Sequence, residues 1–319
     1  ELELNGASSI NYLLANGISN AKVNGVGDLT VNSDFVGLKS FSAENLNGKL
    51  LGSKPDNSGF STKGIVGAPL GTLVTLGPNS DNFYFLDKAN SSSLNTIQLG
   101  PGDDKILINL AKNSQNNIFG DTGNDEIKLS GEKASKDEMI DGGQGSDTLI
   151  LEQAHNNILS LLSIENIILK NNASGENTIT GANGPLSVVM ETGKNGIPSD
   201  FLILGLPKSS TITIENSPGE DSGLGSLSVA YDQLEDVDTI NINSKKMLGD
   251  LYTDNIGTVN LNFAETVIAT DSDFKFDNAT TVIINAEKNF QLRDILGDLS
   301  TSIDSLEYLT INGENSVSI

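Results

Sequence analysis

The sequence of 319 residues contains no cysteine and no tryptophan, and it has a single histidine and a single arginine. Without cysteine the chain forms no disulfide, no zinc–thiolate site and no thiol nucleophile. The histidine, His155, lies in a segment with helical spacing, where we expect a surface or packing role rather than catalysis. No HExxH motif, phosphate-binding loop or dinucleotide-binding glycine pattern is present. We therefore predict that the protein is not an enzyme.

The strongest enzymatic alternative is a polysaccharide lyase, epimerase or hydrolase built on a parallel β-helix. Such enzymes hold acidic sugars with arginine and lysine, or attack glycosides with paired carboxylates. Paired carboxylates occur here, as at Asp271 with Asp273 and at Glu235 with Asp236. The single arginine, Arg293, and the aromatic content of 5% argue against a sugar-binding groove.

Basic residues are scarce, because 19 lysines and arginines stand against 42 acidic residues, for a net charge of −23. Such a chain repels nucleic acid and anionic membranes. No run is apolar enough to cross a membrane, and no signal peptide is present. We predict no nucleic-acid binding and no membrane insertion, and we expect divalent cations or a basic partner to neutralise the chain. Because it opens with ELELNG, we expect it to be a piece of a longer protein.

A glycine- and aspartate-rich pattern recurs in the middle of the chain, as LGPGDDKILINL, FGDTGNDEIKL and IDGGQGSDTLIL, with a weaker copy, LGPNSDNFYF, before them. Superposing the copies aligns four aspartates, at separations of 23, 21 and 22 residues: Asp81, Asp104, Asp125 and Asp147. A recurrence of this size predicts one coil of a solenoid per copy. We expect the apolar residue two positions after each aspartate to point inward: Phe83, Ile106, Ile127 and Leu149.

A second repeat follows, made of short alternating strands with polar residues outside and aliphatic residues inside. Its first buried positions are separated by 21, 24, 28, 19, 23 and 27 residues: Ile167, Val188, Ile212, Ile240, Val259, Val282 and Leu309. The shared period predicts a mainly β fold, a parallel β-solenoid of the β-helix or β-roll kind with a few short helices. A β-sandwich is the competing fold. The chain is predicted to have three segments. Residues 1–70 form a β-rich segment, residues 71–151 form the aspartate coils, and residues 152–319 form the strand repeats.

Three further local features bear on this fold. The predicted short helices include segments 10–17, 34–41, 152–163 and 291–309. The segment SGEKASKDEM is expected to loop off the coil as a charged insertion. Asparagines recur after strands and either stack as an amide ladder at a corner or, as we expect, form turns independently: Asn243, Asn262, Asn285 and Asn312.

The aspartate pattern resembles the calcium-binding nonapeptide repeat of RTX proteins, G-G-x-G-x-D-x-U-x. Residues 142–150 match it in full, and residues 120–128 lack only its second glycine. Glycine allows main-chain carbonyls to turn inward, and stacked carbonyls and carboxylates form the all-oxygen surroundings that calcium prefers. Because a whole coil separates the copies, we expect a single row of Ca²⁺ ions. The alternative is that these are ordinary glycine–aspartate turns of a β protein.

We predict a calcium site with ligands in three groups. The first group acts through side chains: Asp104, Asp125 and Asp147. The second consists of further side-chain candidates: Asp81, Asp103, Asp121 and Asp141. The third supplies main-chain carbonyls: Gly100, Gly102, Gly120, Gly123, Gly143 and Gly145.

Together with segments such as LEDVDTININS and LLSIENIILKNN, these turns resemble bacterial S-layer proteins exported by type I secretion, particularly those of the Campylobacter type. The resemblance implies an extracellular structural protein of a bacterial surface coat. It further implies calcium-dependent folding, self-association into a two-dimensional lattice, and anchoring to lipopolysaccharide through a region outside this chain. The alternative function is a secreted RTX adhesin that binds a host or cell-surface receptor.

Overall fold

The structure is a computed structural model. It describes residues 2–4, 8–10, 19–31, 35–52, 59–60, 64–68, 71–87, 94–111, 115–131, 138–153, 158–170, 175–192, 200–216, 226–230, 238–244, 250–265, 267–269, 274–288, 290–292, 306–313 and 317–318. All regular secondary structure in these ranges is β-strand. The chain divides into two compact units, Glu1–Glu165 and Asn166–Ile319. The predicted boundaries near residues 70 and 151 stay predictions.

The strands of the first unit are short and follow one another closely. They are β1 (Leu2–Leu4), β2 (Ser8–Ile10), β3 (Asn20–Gly25), β4 (Leu29–Val31), β5 (Phe35–Leu38), β6 (Ser40–Leu46), β7 (Leu50–Gly52), β8 (Gly64–Gly67), β9 (Leu73–Thr75), β10 (Asn82–Leu86), β11 (Leu94–Gln98), β12 (Lys105–Leu110), β13 (Gln115–Phe119), β14 (Glu126–Gly131), β15 (Glu138–Asp141), β16 (Thr148–Leu151) and β17 (Ile158–Leu162).

These strands alternate between two sheets. Sheet I has the order β1-β3-β6-β9-β11-β13-β15-β17, and sheet II has the order β2-β4-β7-β10-β12-β14-β16, with β8 also beside β10 and β5 beside β8. Neighbouring strands run parallel, as in the pairs β12–β14 and β13–β15. Each coil therefore gives one strand to each sheet, and the next coil stacks on it without a helical crossover. The first unit is the predicted parallel β-solenoid.

The strands of the second unit are β18 (Asn166–Leu169), β19 (Gly175–Thr180), β20 (Ser187–Thr192), β21 (Asp200–Leu204), β22 (Thr211–Asn216), β23 (Ser226–Ala230), β24 (Thr239–Ser244), β25 (Asp250–Asp254), β26 (Thr258–Phe263), β27 (Val267–Ala269), β28 (Phe274–Phe276), β29 (Thr281–Ala286), β30 (Phe290–Leu292), β31 (Tyr308–Gly313) and β32 (Val317–Ser318). Sheet III has the order β19-β21-β23-β25-β28, sheet IV β18-β20-β22-β24-β26-β29-β31, and sheet V β27-β30-β32. This unit is also a parallel β-solenoid.

The core lies between the sheets of each solenoid and consists of columns of apolar side chains. In sheet II the predicted column of Phe83, Ile106, Ile127 and Leu149 pairs in register, and each of these side chains is at most 1% exposed. Full burial of such a side chain stabilises a fold by about 1.5–3 kcal/mol. The alternation of inward apolar and outward polar residues thus accounts for both the strands and their stacking.

The register in sheet IV confirms five of the six pairings expected from the second repeat. Ile167 pairs with Val188 and Val188 with Ile212, and the column continues from Ile240 through Val259 to Val282 and Leu309. Leu309, which was expected to be buried, is 45% exposed. The one wrong pairing joins Ile212 to Ile240, because the structure pairs Ile212 with Ile242. A slip of two residues keeps the same side chains inward, so the sequence pattern does not distinguish the two registers.

Two of the predicted short helices are wrong. Residues 35–38 and 40–46 belong to strands β5 and β6, and residues 158–162 form β17, whose Leu159 and Leu161 are buried. The apolar spacing of 152–163 fits a helix as well as a strand. The inward positions beneath Glu138 and Ile140 of β15 are filled only when this segment pairs as the next strand. Of the segment 10–17, Ile10 ends strand β2 and the rest lies outside the described residues, as does most of 291–309.

The expectation that the recurring asparagines act as independent turn formers is also wrong. They lie within strands of sheet IV, in register with one another: Asn243, Asn262, Asn285 and Asn312. The side-chain Nδ2 of each of the last three donates a hydrogen bond of 2.8 Å to the Oδ1 of its predecessor. The amide ladder therefore exists, but on the outward strand face rather than at a corner.

Candidate functional site

Four turns connect a strand of sheet I to the next strand of sheet II, and each runs for six residues. They are Leu76–Asp81, Leu99–Asp104, Gly120–Asp125 and Gly142–Asp147, which we call the acidic turns, with positions numbered 1 to 6. Strands on both sides of these turns pair in register, so equal positions lie above one another.

The position 6 aspartates form a ladder of hydrogen bonds between coils. The backbone N–H of Asp81 donates to Oδ1 of Asp104 at 2.6 Å, that of Asp104 to Oδ1 of Asp125 at 2.9 Å, and that of Asp125 to Oδ1 of Asp147 at 2.8 Å. At one end of the ladder, the backbone N–H of Leu50 donates to Oδ1 of Asp81. At the other end, the backbone N–H of Asp147 donates to Oε2 of Glu165. The aspartates predicted to align do align, and each is at most 3% exposed.

A second ladder runs along position 5 in the opposite direction. Asn124 N–H donates to Oδ1 of Asp103 at 2.8 Å, and Ser146 N–H donates to Oδ1 of Asn124 at 2.8 Å. Asp103 N–H in turn donates to Oγ of Ser80 at 3.0 Å. These side chains are on the outside of the turn, and Asp103 is exposed. Asp103, predicted as a calcium ligand, therefore has one carboxylate oxygen engaged by the next coil.

The glycines at position 4 are required by the close stacking of the turns. A Cβ built on Gly123 would lie 1.8 Å from the carbonyl oxygen of Gly102, and one on Gly145 would lie 1.8 Å from that of Gly123. Their φ angles of 137° and 147° are also in the region that side chains rarely adopt. The carbonyl oxygens of Gly102 and Gly123, predicted as calcium ligands, thus lie where a side chain of the next coil would be.

The residue at position 2 has a left-handed backbone conformation, with positive φ, in the second, third and fourth acidic turns. Gly100 and Gly143 have φ angles of 84° and 91°, and Asp121 has a φ of 77°. A Cβ on Gly143 would lie 2.0 Å from the carbonyl oxygen of Asp121. Asp121 is therefore a strained, exposed residue at a glycine position. With Asp141 it lines an open groove of about 760 Å³ on the outside of the turns.

Position 1 divides the four turns into two kinds. It holds buried leucines in the first two turns, Leu76 and Leu99, and glycines in the last two, Gly120 and Gly142. The positions are equivalent because the same backbone hydrogen bond recurs, such as Leu99 N–H to Phe119 O and Gly120 N–H to Asp141 O. We call the first two turns the leucine turns and the last two the glycine turns.

Oxygen atoms converge beside the position 1 glycines. A Cβ built on Gly120 would lie 2.1 Å from the carbonyl oxygen of Gly142 and 2.4 Å from Oδ2 of Asp125. One built on Gly142 would lie 2.1 Å from the carbonyl oxygen of Ser163 and 2.5 Å from Oδ2 of Asp147. Beside each glycine, a carboxylate oxygen and the next coil's carbonyl oxygen thus lie so close to the backbone that any side chain would clash with them.

Burial dominates the electrostatics of the position 6 aspartates. It raises the pKa of Asp104 to about 8, those of Asp81 and Asp125 to about 7, and that of Asp147 to about 6. The backbone N–H bonds lower these pKa values by less, and neighbouring carboxylates raise the values further. The Oδ2 atoms of Asp81, Asp104 and Asp125 are buried and have no hydrogen-bond partner within the described residues.

The residues of the glycine turns fit calcium, on the basis of these observations. The donors are all oxygens, a preference of calcium, which binds them at about 2.3–2.6 Å. Within the described ranges, however, no group of three or more His, Asp or Glu side chains is placed to hold a metal. An ion here would therefore need main-chain carbonyls as well as carboxylates. The predicted ligands of the leucine turns, Asp81 and Asp104, lack the glycine beside which the oxygens converge.

Sequence reasoning missed a second buried ladder at the start of the sheet I strands. Its members recur at 23, 21 and 22 residues, as the aspartates do, and are at most 2% exposed: Thr72, Asn95, Asn116 and Glu138. Thr72 N–H donates to Oδ1 of Asn95, and Asn116 N–H donates to Oε2 of Glu138. The signal was a polar residue that recurs with this period within one position of the first residue of each strand. Glu138 belongs to the segment expected to loop off the coil.

No protein-family model, no curated protein and no solved structure matches this chain. Among the described residues, no helix has the length and apolar character needed to cross a membrane.

Proposed function

We propose that this chain is a structural part of a bacterial surface coat, an S-layer protein whose solenoid is stabilised by calcium at the glycine turns. The observation on which the proposal depends is the convergence of carboxylate and carbonyl oxygens beside Gly120 and Gly142. It occurs in a chain of net charge −23, in which buried carboxylates lie on successive coils. A divalent cation offsets both the burial of these groups and their mutual repulsion.

The residues that would hold calcium are the carboxylates of Asp125 and Asp147 and the carbonyls of Gly142 and Ser163. The bound ion would supply positive charge in place of the water that these carboxylates lose on burial. Each pair consists of groups from two successive coils, so an ion would link one coil to the next. Since the loose chain does not bring these groups together, calcium stabilises the folded form by mass action.

A coat function agrees with the architecture of the described residues. Parallel coils with regular polar outer faces make a rigid scaffold, and self-association would place such scaffolds in a lattice. The predicted anchoring to lipopolysaccharide belongs to a region outside this chain. The extracellular location is proposed from the resemblance of the turns to RTX repeats.

Thermal unfolding of the whole chain in calcium, in EGTA and in an equal concentration of magnesium tests the first half of the proposal. We expect calcium to raise Tm well above the magnesium value, since free ligand at a thousand times Kd stabilises by about 4 kcal/mol. An equal rise in Tm with the two cations would mean that calcium acts only by screening charge, and it would contradict a specific calcium site.

Electron microscopy of the calcium-loaded protein tests the second half. A two-dimensional array on calcium addition supports the coat. A calcium-dependent fold that forms no array, yet binds cells, would support the alternative, a secreted adhesin.

A further inference from the structure

A ladder of four asparagines lies on the outward face of sheet IV, in strands β24, β26, β29 and β31. A carboxamide has two N–H donors and two acceptor lone pairs. The inner members, Asn262 and Asn285, use one donor and one lone pair within the ladder. Each therefore keeps a donor and a lone pair for a ligand, at one amide per strand.

The ladder is part of the lining of two adjoining sections of a groove. One section has a volume of about 400 Å³ and includes Asn243, Asn262 and Asn285. The other has a volume of about 800 Å³ and includes Asn285 and Asn312. Because Asn285 and Glu287 belong to both sections, the groove crosses the strands and follows the direction in which the coils stack.

We infer that this groove binds a neutral polysaccharide in an extended conformation, laid along the ladder. Neighbouring strands are about 4.8 Å apart, which is close to the length of one sugar residue in an extended β-linked glycan. Each sugar would then meet one amide, through hydroxyl groups that both donate and accept. An extended peptide advances by about 3.4 Å per residue and does not keep this register.

The charges of the groove favour a neutral glycan over an acidic one. Among the described residues, its charged lining side chains are Glu215, Glu287 and Lys288, a net negative set in a strongly acidic chain. Uronate or sulfate groups would be repelled. The low aromatic content limits ring stacking, although Tyr308, 63% exposed, shares the outward face of β31 with Asn312. Recognition would therefore depend chiefly on the amides. This site lies in the second unit and does not rest on the calcium proposal.

Calorimetric titration of the whole chain with defined oligosaccharides tests the inference. The probes are cello- and chito-oligosaccharides from two to six sugars, with hexagalacturonate as the acidic comparison. We expect affinity to rise with length up to about four sugars, the number of amides in the ladder, and to level off beyond. Hexagalacturonate should bind at least about tenfold more weakly than the neutral hexamers. Failure of every neutral oligosaccharide to bind at millimolar concentration would overturn the inference.

A matched pair of variants separates binding from stability. Replacement of Asn262 and Asn285 by alanine should lower affinity for the hexamers at least about tenfold, because each lost hydrogen bond contributes modestly. Asn260→Ala is the control, since Asn260 donates a 3.0 Å amide hydrogen bond to Asn241 on the same strands but does not line the groove. The affinity of Asn260→Ala for the hexamers should stay within twofold of that of the unaltered protein. Equal losses in both variants would overturn the inference.

Asn312→Ala keeps the test decisive if the double variant does not fold. This exposed residue ends the ladder and donates a single ladder bond. Hexamer affinity should fall about threefold, with Tm nearly unchanged. Unchanged hexamer affinity would count against a ligand that follows the ladder to its end.

Discussion

The leucine turns and the glycine turns share a backbone but differ in what lies at position 1. In both, the aspartate at position 6 is buried and accepts a backbone hydrogen bond from the preceding coil. In the leucine turns an apolar side chain occupies position 1, whereas in the glycine turns oxygens of two coils lie where a side chain would be. The aspartate ladder is therefore a structural feature of all four turns, and only the glycine turns add the features of a cation site.

The pKa values of the aspartates follow the same division in part. Asp104, in a leucine turn, has its pKa raised to about 8, while Asp147, in a glycine turn, has its pKa raised to about 6. Asp81 and Asp125 lie between them, each at about 7. A carboxyl that stays protonated near neutral pH needs no cation. The pKa values thus separate Asp104 from Asp147, but they do not distinguish Asp81, in a leucine turn, from Asp125, in a glycine turn.

The largest effect is expected from placing a side chain at a position 1 glycine. Gly142→Ala places a Cβ 2.1 Å from a backbone carbonyl, so the coil must shift. We expect a loss of at least about 2 kcal/mol of unfolding free energy and of the calcium-induced rise in Tm. Thermal unfolding with calcium and with EGTA measures both. The control is Gly184→Ala, whose Cβ would meet nothing within 4 Å and whose Tm should hardly change. If calcium raised the Tm of Gly142→Ala as much as that of the unaltered protein, the glycine turns would not differ from the leucine turns in calcium binding.

The next prediction exchanges one aspartate in each kind of turn for asparagine, which keeps the Oδ1 acceptor. Asp125→Asn should reduce the calcium-induced rise in Tm, because it removes a charge beside the converging oxygens. Asp104→Asn should keep that rise, and in EGTA at pH 8 it should raise Tm by a few degrees, since it removes a buried charge. Equal calcium responses of the two variants would remove the distinction between the turns.

How far the sequence predicted this structure depends on the kind of pattern. The period of the aspartates and the alternation of apolar and polar residues in the strands were enough to predict the solenoid. They also predicted the apolar column through Phe83 and Ile106. The position 6 ladder follows from that period. The role of position 1 did not, because Leu99 and Gly120 both fit a turn, and only the geometry shows what a Cβ there would meet.

Other features escaped because different physical causes give the same pattern. The strand at Ile158–Leu162 has helical spacing, and tertiary pairing with β15 decides between the two states. Glu138 belongs to a charged segment, yet it is buried because a backbone N–H of the preceding coil donates to it. The amides of Asn262 and Asn285 suit a turn or a ladder equally, until the register places them together.

The third prediction concerns pH in the absence of calcium. The folded pKa values of the four aspartates lie at about 6 to 8, above the ordinary value of 3.8. The folded state therefore binds more protons than the unfolded state between these values, and stability falls as pH rises. In EGTA, Tm should fall between pH 4 and pH 8, and calcium should reduce the fall. A Tm that rises over this range in EGTA would mean that the buried carboxyls are ionised without a cation.

The smallest effect distinguishes backbone strain from metal binding at Asp121. This residue has a φ of 77° at a position that holds glycine in the equivalent turns, as at Gly143. If the side chain only stores strain, Asp121→Gly should stabilise the protein by up to about 1 kcal/mol, since relief of the left-handed conformation outweighs the entropy that glycine adds to the unfolded chain. If Asp121 is a calcium ligand, the gain should appear in EGTA and become a loss in calcium. Our assignment of the cation site to the oxygens beside Gly120 and Gly142 predicts the same gain in both, measured by thermal unfolding. A reversal of sign would move the site to the outside of the turn, where Asp121 and Asp141 line the groove.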